Sequence, residues 1–145
     1  MTPQKANIDI REQKGRLEVF DIVRGRYVAL TPEEWVRQNV IHNLHYNLGY
    51  PLELIQVEGA ITLNGMTRRC DIVVYDAQVR PFIIVECKQE SVPITQKVLD
   101  QASRYNLVLH VPYLLLTNGP QSIICHVDFD QKKLQLLKKL PFYHK

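Results

Sequence analysis

The chain has 145 residues, of which 46% are hydrophobic and 23% charged, with a formal net charge of +3 at neutral pH. These values suit one globular domain with one core, and the mild positive charge permits contact with nucleic acid or anionic substrates without arguing for it. The N-terminal stretch lacks the apolar core of a secretory signal, and no apolar run approaches the roughly 18 residues that cross a bilayer, so a soluble, non-membrane protein is expected.

In chain order, residues 16 to 30, RLEVFDIVRGRYVAL, give two short β-rich runs about Arg24-Gly25. They predict a β-hairpin region at about 1–30, although the glycine suits a loop or a bulge equally. TPEEWVRQNVIHNLHYNLGYP follows, with Thr31 as N-cap, Pro32 at the first helical position, Glu34 three residues after the cap, and Gly49 and Pro51 as stop signals. Val36, Val40, Ile41, Leu44 and Leu48 recur at spacings of three and four, so they predict one buried helix face. LELIQVEGAITL reads as one strand or two, NGMT as a turn, and CDIVVYD as a further strand. AQVRP then connects to FIIVECK, whose continuous apolar run predicts a central strand covered on both faces. A second helix is expected within TQKVLDQASRYNLVLH, with Val98, Ala102 and Tyr105 on one face and Leu99 beside it. VPYLLLTNG and QSIICHVDF predict two more strands, and KLQLLKKLP is a strand or a short helix. No repeat or linker divides the chain, so residues 1–145 form one expected domain of the α/β (α+β) class, a mixed sheet flanked by helices.

The stretch CDIVVYDAQVRPFIIVECK carries three ionisable groups around its apolar runs. If AQVRP closes an antiparallel hairpin, the chain folds about residues 78 and 79, and Asp71 comes to lie opposite Glu86. The period of two along a strand then sets Glu86 and Lys88 on one face and Cys87 on the other. Two adjacent carboxylates repel unless a cation bridges them or one keeps its proton. Mg²⁺ meets that need, because it is hard, prefers oxygen, keeps several waters and is held by one or two carboxylates together with substrate phosphate oxygens. Lys88 stands where it can touch a phosphate or orient a water nucleophile, so the trio fits phosphodiester hydrolysis. The competing reading is three solvated strand-end charges, since Glu-x-Lys occurs by chance in many chains.

Asp71 followed by VECK at residues 85–88 resembles the signature of the PD-(D/E)XK nuclease superfamily, and the wider run is similar to the N-terminal nuclease domain of type I restriction enzyme R (HsdR) subunits. The similarity extends from LTPEEWVRQ through QVEGAITLNGMTRRCDIVVYD and FIIVECK to LDQASRYN and PYLLLTNG. The resemblance implies a restriction-endonuclease-like mixed sheet between helices, a restriction-modification setting, and DNA cleavage dependent on Mg²⁺, with Mn²⁺ as a substitute. It implies Asp71 and Glu86 as metal ligands, the Cys87 carbonyl as a further ligand, Lys88 as the residue positioning the attacking water, and Gln101 and Tyr105 as the additional motif on the following helix. It also brings an acid from the first helix into the metal site, either Glu33 or Glu34. Glu34 is preferred, although capping the helix accounts for it as well.

Cys70 stands where the superfamily name has proline, and the chain carries no GxxxxGK[ST] loop, so a motor or specificity function would come from a separate partner protein. The alternative function is a nuclease-fold module, weak or inactive in catalysis, that binds nucleic acid or a partner protein. His42 and His45 share a helix face but lack a third ligand at metal-binding spacing. The lysines at 132, 133, 138 and 139, with Arg68, Arg69 and Lys97, read first as solvated charges and second as phosphate contacts. Cys70, Cys87 and Cys125 are odd in number and lack metal-finger spacing, which predicts reduced thiols and a cytoplasmic location.

Overall fold

The computed structural model describes residues 6–145; the part of the expected hairpin region that falls on residues 1–5 lies outside the described residues. The order is β1 (Ile10–Gln13), β2 (Arg16–Asp21), β3 (Arg26–Ala29), α1 (Pro32–His42), β4 (Ile55–Val57), β5 (Ala60–Leu63), β6 (Met66–Arg69), β7 (Ile72–Tyr75), β8 (Pro81–Cys87), α2 (Gln96–Leu109), β9 (Tyr113–Thr117), β10 (Ser122–Asp128) and β11 (Lys133–Leu137). The main sheet has six strands in the order β11-β10-β9-β8-β7-β4. Only β8 and β9 are parallel in it, joined by the α2 crossover, so the sheet is mixed as expected.

The first strands form a three-stranded antiparallel sheet rather than a lone hairpin. The added strand β1, IREQ, is exposed along its whole length, so it carries no apolar alternation to reveal it. The α1 start is as read: Thr31 Oγ1 accepts the Glu34 N–H at 3.0 Å, with Pro32 following. The reciprocal half of a capping box is replaced, because the Glu34 carboxylate turns to Arg24, Arg37 and Gln38. The helix then widens into a π-helical turn over Asn43–Asn47 before Gly49, at φ +83°, ends it.

Residues 52–54 form a 3₁₀ turn, and LELIQVEGAITL resolves into β4 and β5. The β4/β7 and β5/β6 ladders share one register, bridged by Glu58 N–H to Asp71 O and Cys70 N–H to Gly59 O, both at 2.8 Å. The long hairpin therefore kinks at Glu58-Gly59, opposite Cys70-Asp71, where Glu58 takes φ +54°. Its tip, Asn64-Gly65, has φ of +52° and +79°, as a type I′ turn requires.

Strand β8 lies between β7 and β9, with Ile83, Ile84 and Val85 all buried. Alternation divides the core cleanly. Ile72, Val74, Ile83, Val85 and Cys87 pack under α1, whereas Val73, Ile84, Leu114 and Leu116 pack with α2. The buried face of α2 is Leu99, Ala102, Ser103, Asn106 and Leu109, with Val98 and Tyr105 at its margin. The segment KLQLLKKLP resolves to the edge strand β11 followed by a tail. Leu140 of that tail is buried, the Tyr143 ring packs edge-on against Tyr50 with centroids 5.6 Å apart, and Tyr143 N–H bonds Leu48 O at 2.9 Å, so the tail is held on the core. No helix among the described residues is long and apolar enough to cross a membrane.

Candidate active site

The β7/β8 register pairs Ile72 with Val85, and one further step sets Asp71 opposite Glu86, as the hairpin arithmetic requires. A register shift between Val74 and Tyr75 absorbs the turn, which is built on the Asp76 carboxylate accepting from the N–H groups of Gln78 and Arg80. Asp71 Oδ2 accepts the backbone N–H of Cys87 at 2.7 Å. In an extended strand the N–H and C=O of one residue point to the same edge, so the Cys87 carbonyl faces the Asp71 side as well. Lys88 is exposed, and its own N–H is held by Thr117 O of β9 at 2.8 Å, which fixes the backbone where the side chain leaves the sheet.

Burial pushes the Glu86 carboxyl up to about 7; Arg68 opposes the rise, the charge and hydrogen bond of Asp71 add to it, and Lys88 opposes it. Asp71 and Lys88 thus both bear on the Glu86 carboxyl, with opposite signs. Each carboxylate also has a guanidinium. Arg37 Nη2 of α1 donates to Asp71 Oδ1 at 3.3 Å, and Arg68 Nη2 of β6 donates to Glu86 Oε1 at 2.6 Å.

Glu34 is not in contact with this pair. It is buried, with Oε1 accepting from Arg24 at 2.8 Å and Arg37 at 2.9 Å and Oε2 accepting from Gln38 at 3.2 Å. Arg37 lies between it and Asp71, so the structure places Glu34 one guanidinium away from the carboxylate pair. Glu33 reaches the same Arg37 at 3.5 Å. Gln101 is exposed on α2, one turn before Tyr105, in an open cleft of about 560 Å³ lined also by Lys97, Asp100 and Arg104. Tyr105 is the member of that motif that communicates with the pair: its ring lies under the Arg68 guanidinium, 4.3 Å from centroid to Cζ. His45 Nδ1 is taken by Tyr50 O at 2.8 Å, and His42 is buried beside Tyr46, so the two rings do not converge on a ligand.

Sequence reasoning did not identify Arg37, and it weighed Arg68 only as a solvated or phosphate-contacting charge. The spacing of Glu33 and Glu34 from Arg37 carries an intrahelical ion-pair signal. The Asp71 contact, between α1 and β7, has no local signal at all.

The donor set fits a hard divalent cation: two carboxylates side by side and a backbone carbonyl facing them, all oxygen. Among the described residues no three or more His, Cys, Asp or Glu side chains gather to hold a metal by themselves. A cation here would complete its shell with water, backbone or phosphate oxygens, as Mg²⁺ characteristically does.

Comparison with known proteins agrees with the fold. A structure described as a fragment of an HsdR subunit of a type I restriction enzyme from Vibrio vulnificus YJ016 superposes with a TM-score of 0.54 at 24% identity. The match covers 78% of this chain and 24% of that one, so the chain spans about a quarter of the fragment. A structure described as a nuclease of family DUF820 from Anabaena variabilis ATCC 29413 superposes with a TM-score of 0.51 at 8% identity, over 89% of this chain and 80% of that one. No curated protein matches the chain. The family model for the type I restriction enzyme R protein N terminus matches residues 32–141, from the first turn of α1 through β11, and the chain belongs to that family.

Proposed function

We propose that this chain is a nuclease domain that hydrolyses DNA phosphodiester bonds with Mg²⁺, in the setting of a restriction system and in the cytoplasm. The observation that carries the reading is the cross-strand pair Asp71 and Glu86 at the open ends of β7 and β8, with Lys88 leaving the sheet beside them. Asp71, Glu86 and the Cys87 carbonyl would hold the metal, which when bound supplies Lewis-acid polarisation of the phosphate and a more acidic water. Asp71 is oriented by the Cys87 N–H and Arg37, so its carboxylate is fixed before any ligand arrives. Lys88, anchored through its backbone, donates to the attacking water or to a phosphate oxygen and offsets the negative charge that grows there. Glu34 acts one step back, holding Arg37 against Asp71, and Gln101 lines the approach on α2.

The second reading, a DNA-binding or partner-binding module that does not cut, is favoured by one observation: both carboxylates already have guanidinium partners. A cleavage assay on duplex, single-stranded DNA and RNA with Mg²⁺ or Mn²⁺ separates the two. Hydrolysis by the parent chain that is lost in Asp71→Ala, Glu86→Ala and Lys88→Ala, each with unchanged circular dichroism, is the expected result. Equal cleavage by the parent and all three variants would remove the catalytic assignment, and folded protein that binds without cutting would leave the second reading.

A further inference from the structure

We propose that Arg68, carried on the ring of Tyr105 and continued by Arg104 and Lys97 along α2, forms the track that holds the phosphodiester backbone of the substrate. We further propose that Arg68 exchanges Glu86 for a substrate phosphate. This rests on the nuclease reading above and names the surface by which the substrate reaches that site.

The kink at Glu58-Gly59 is what makes the arrangement. It swings the β5/β6 hairpin onto the α2 side, where Ile61 is buried in the core under α2 and its cross-strand partner is Arg68. Arg68 then spans from Glu86 to Tyr105. Its Nε is buried and has no hydrogen-bond partner among the described residues, so the guanidinium is incompletely satisfied by Glu86. A guanidinium stacked on an aromatic face keeps its edge available for planar, bidentate recognition, which a phosphate offers.

On α2, Lys97, Gln101, Arg104 and Tyr105 stand at spacings of four, seven and eight from the first, on one helix face, and all four line the open cleft. From Lys97 to Arg104 the helix rises about 10 Å. Two cations that far apart on one cleft wall meet different phosphates of a strand rather than two oxygens of one phosphate. A row of cations at that spacing, ending at the paired carboxylates, suits a polymer of phosphates better than a single anion. Asp100 is the opposing charge in the cleft; its carboxylate accepts from Gln96 at 2.9 Å.

Fluorescence anisotropy of a labelled duplex and the matching single strand, against Lys88→Ala protein in Mg²⁺ so that the probe stays intact, tests the track. Each of Arg68→Ala, Arg104→Ala and Lys97→Ala is expected to weaken binding equally for unrelated sequences. Each should also flatten the slope of log affinity against log salt by about 0.7 to 0.9 per cation removed. Tyr105→Phe keeps the parent affinity, Tyr105→Ala weakens binding as Arg68→Ala does, and Asp100→Asn tightens it. The Arg104 and Lys97 side chains are exposed, so those variants keep the fold, and the pair of them decides the matter if Arg68→Ala unfolds. An Arg104→Ala/Lys97→Ala protein with the parent affinity and salt slope overturns the proposal. Outside the Lys88→Ala background, chain that binds on this track but never cuts overturns the hydrolytic reading alone, whereas chain that cuts with unchanged binding in the variants overturns the track alone.

Discussion

Asp21→Asn is expected to destabilise the fold by about 3 kcal/mol, the low end for removing one partner of a buried ion pair. Asp21 is fully buried at the end of β2, where Oδ1 accepts the N–H groups of Val23 and Arg24, each at 2.8 Å. Its Oδ2 accepts Arg24 Nε at 2.6 Å and Gln38 Nε2 at 3.0 Å. The substitution preserves shape but turns an –NH₂ toward those two donors and removes a charge from beside a guanidinium. The low end applies because Arg24 keeps its bond to Glu34 at 2.8 Å. For a chain of 145 residues the unfolding entropy is about 0.3 kcal/mol/K, so Tm should fall by about 10 °C. Burial alone would raise the Asp21 pKa, but hydrogen bonds from the Arg24 backbone and side chain and from Gln38, with the Arg24 charge, outweigh it and hold the carboxyl below its ordinary 3.8. A depressed native pKa gives stability that is fully present above the unfolded value and is lost as pH falls through the native one. Thermal unfolding followed by circular dichroism should therefore show the gap between parent and variant at neutral pH and its shrinkage below about pH 4. A gap under about 3 °C, or one unchanged by acid, would refute the assignment of Asp21 as the clamp between the N-terminal sheet and α1.

His42 is buried with both ring nitrogens lacking a partner among the described residues; burial, then the neighbouring His45, lower its pKa from 6.5, against a smaller opposing pull from Asp21. The unfolded chain then takes the proton first, so this contribution is present above about pH 6.5 and is lost as pH falls below it. The Tm of His42→Phe should gain on the parent between pH 7 and 5, and parallel curves would count against the buried neutral ring. Burial, with the charges of Glu86 and Asp71 against Arg68, pushes the Cys70 thiol up to about 12, and burial likewise raises Cys87 and Cys125. All three should resist a thiol-reactive disulfide in the native state at pH 8 and react on unfolding; fast modification of even one native thiol contradicts their burial.

What the sequence disclosed and what it concealed divide by range. The cap at Thr31, the apolar stripe of α1 and the unbroken run of β8 are local patterns, and each was legible because a single element's burial dictates it. The pairing of Asp71 with Glu86 is non-local, yet a short turn fixes register, so counting residues was enough. Strand β1 was hidden because a strand exposed along its length needs no apolar alternation. The widening of α1 at Asn43 and the kink opposite Asp71 are backbone departures, closed by bonds within the turn and within the hairpin, that no residue pattern announces. The two guanidiniums were hidden by range: Arg37 and Arg68 find Asp71 and Glu86 only once α1 and the kinked hairpin are laid against the sheet.

Those guanidiniums also explain how a fold tolerates two carboxylates face to face, and they do so unequally. Arg37 has only 8% of its side chain exposed and is bound to Glu34, which is bound to Arg24, which is bound to Asp21, so the Asp71 half of the site is tied by a continuous ion-pair chain to the N-terminal sheet. Each buried member has more than one partner, so removing a link costs stability without freeing the others, and the arrangement has no reason to change when a ligand arrives. Arg68 is 27% exposed and rests on one aromatic ring at the mouth of a cleft. Of the two guanidiniums Arg68 is the one that solvent reaches, and a phosphate entering along α2 offers it an equivalent partner. The site is thus built as a fixed half and an exchangeable half, and the exchangeable half faces the side from which a polyanion would come.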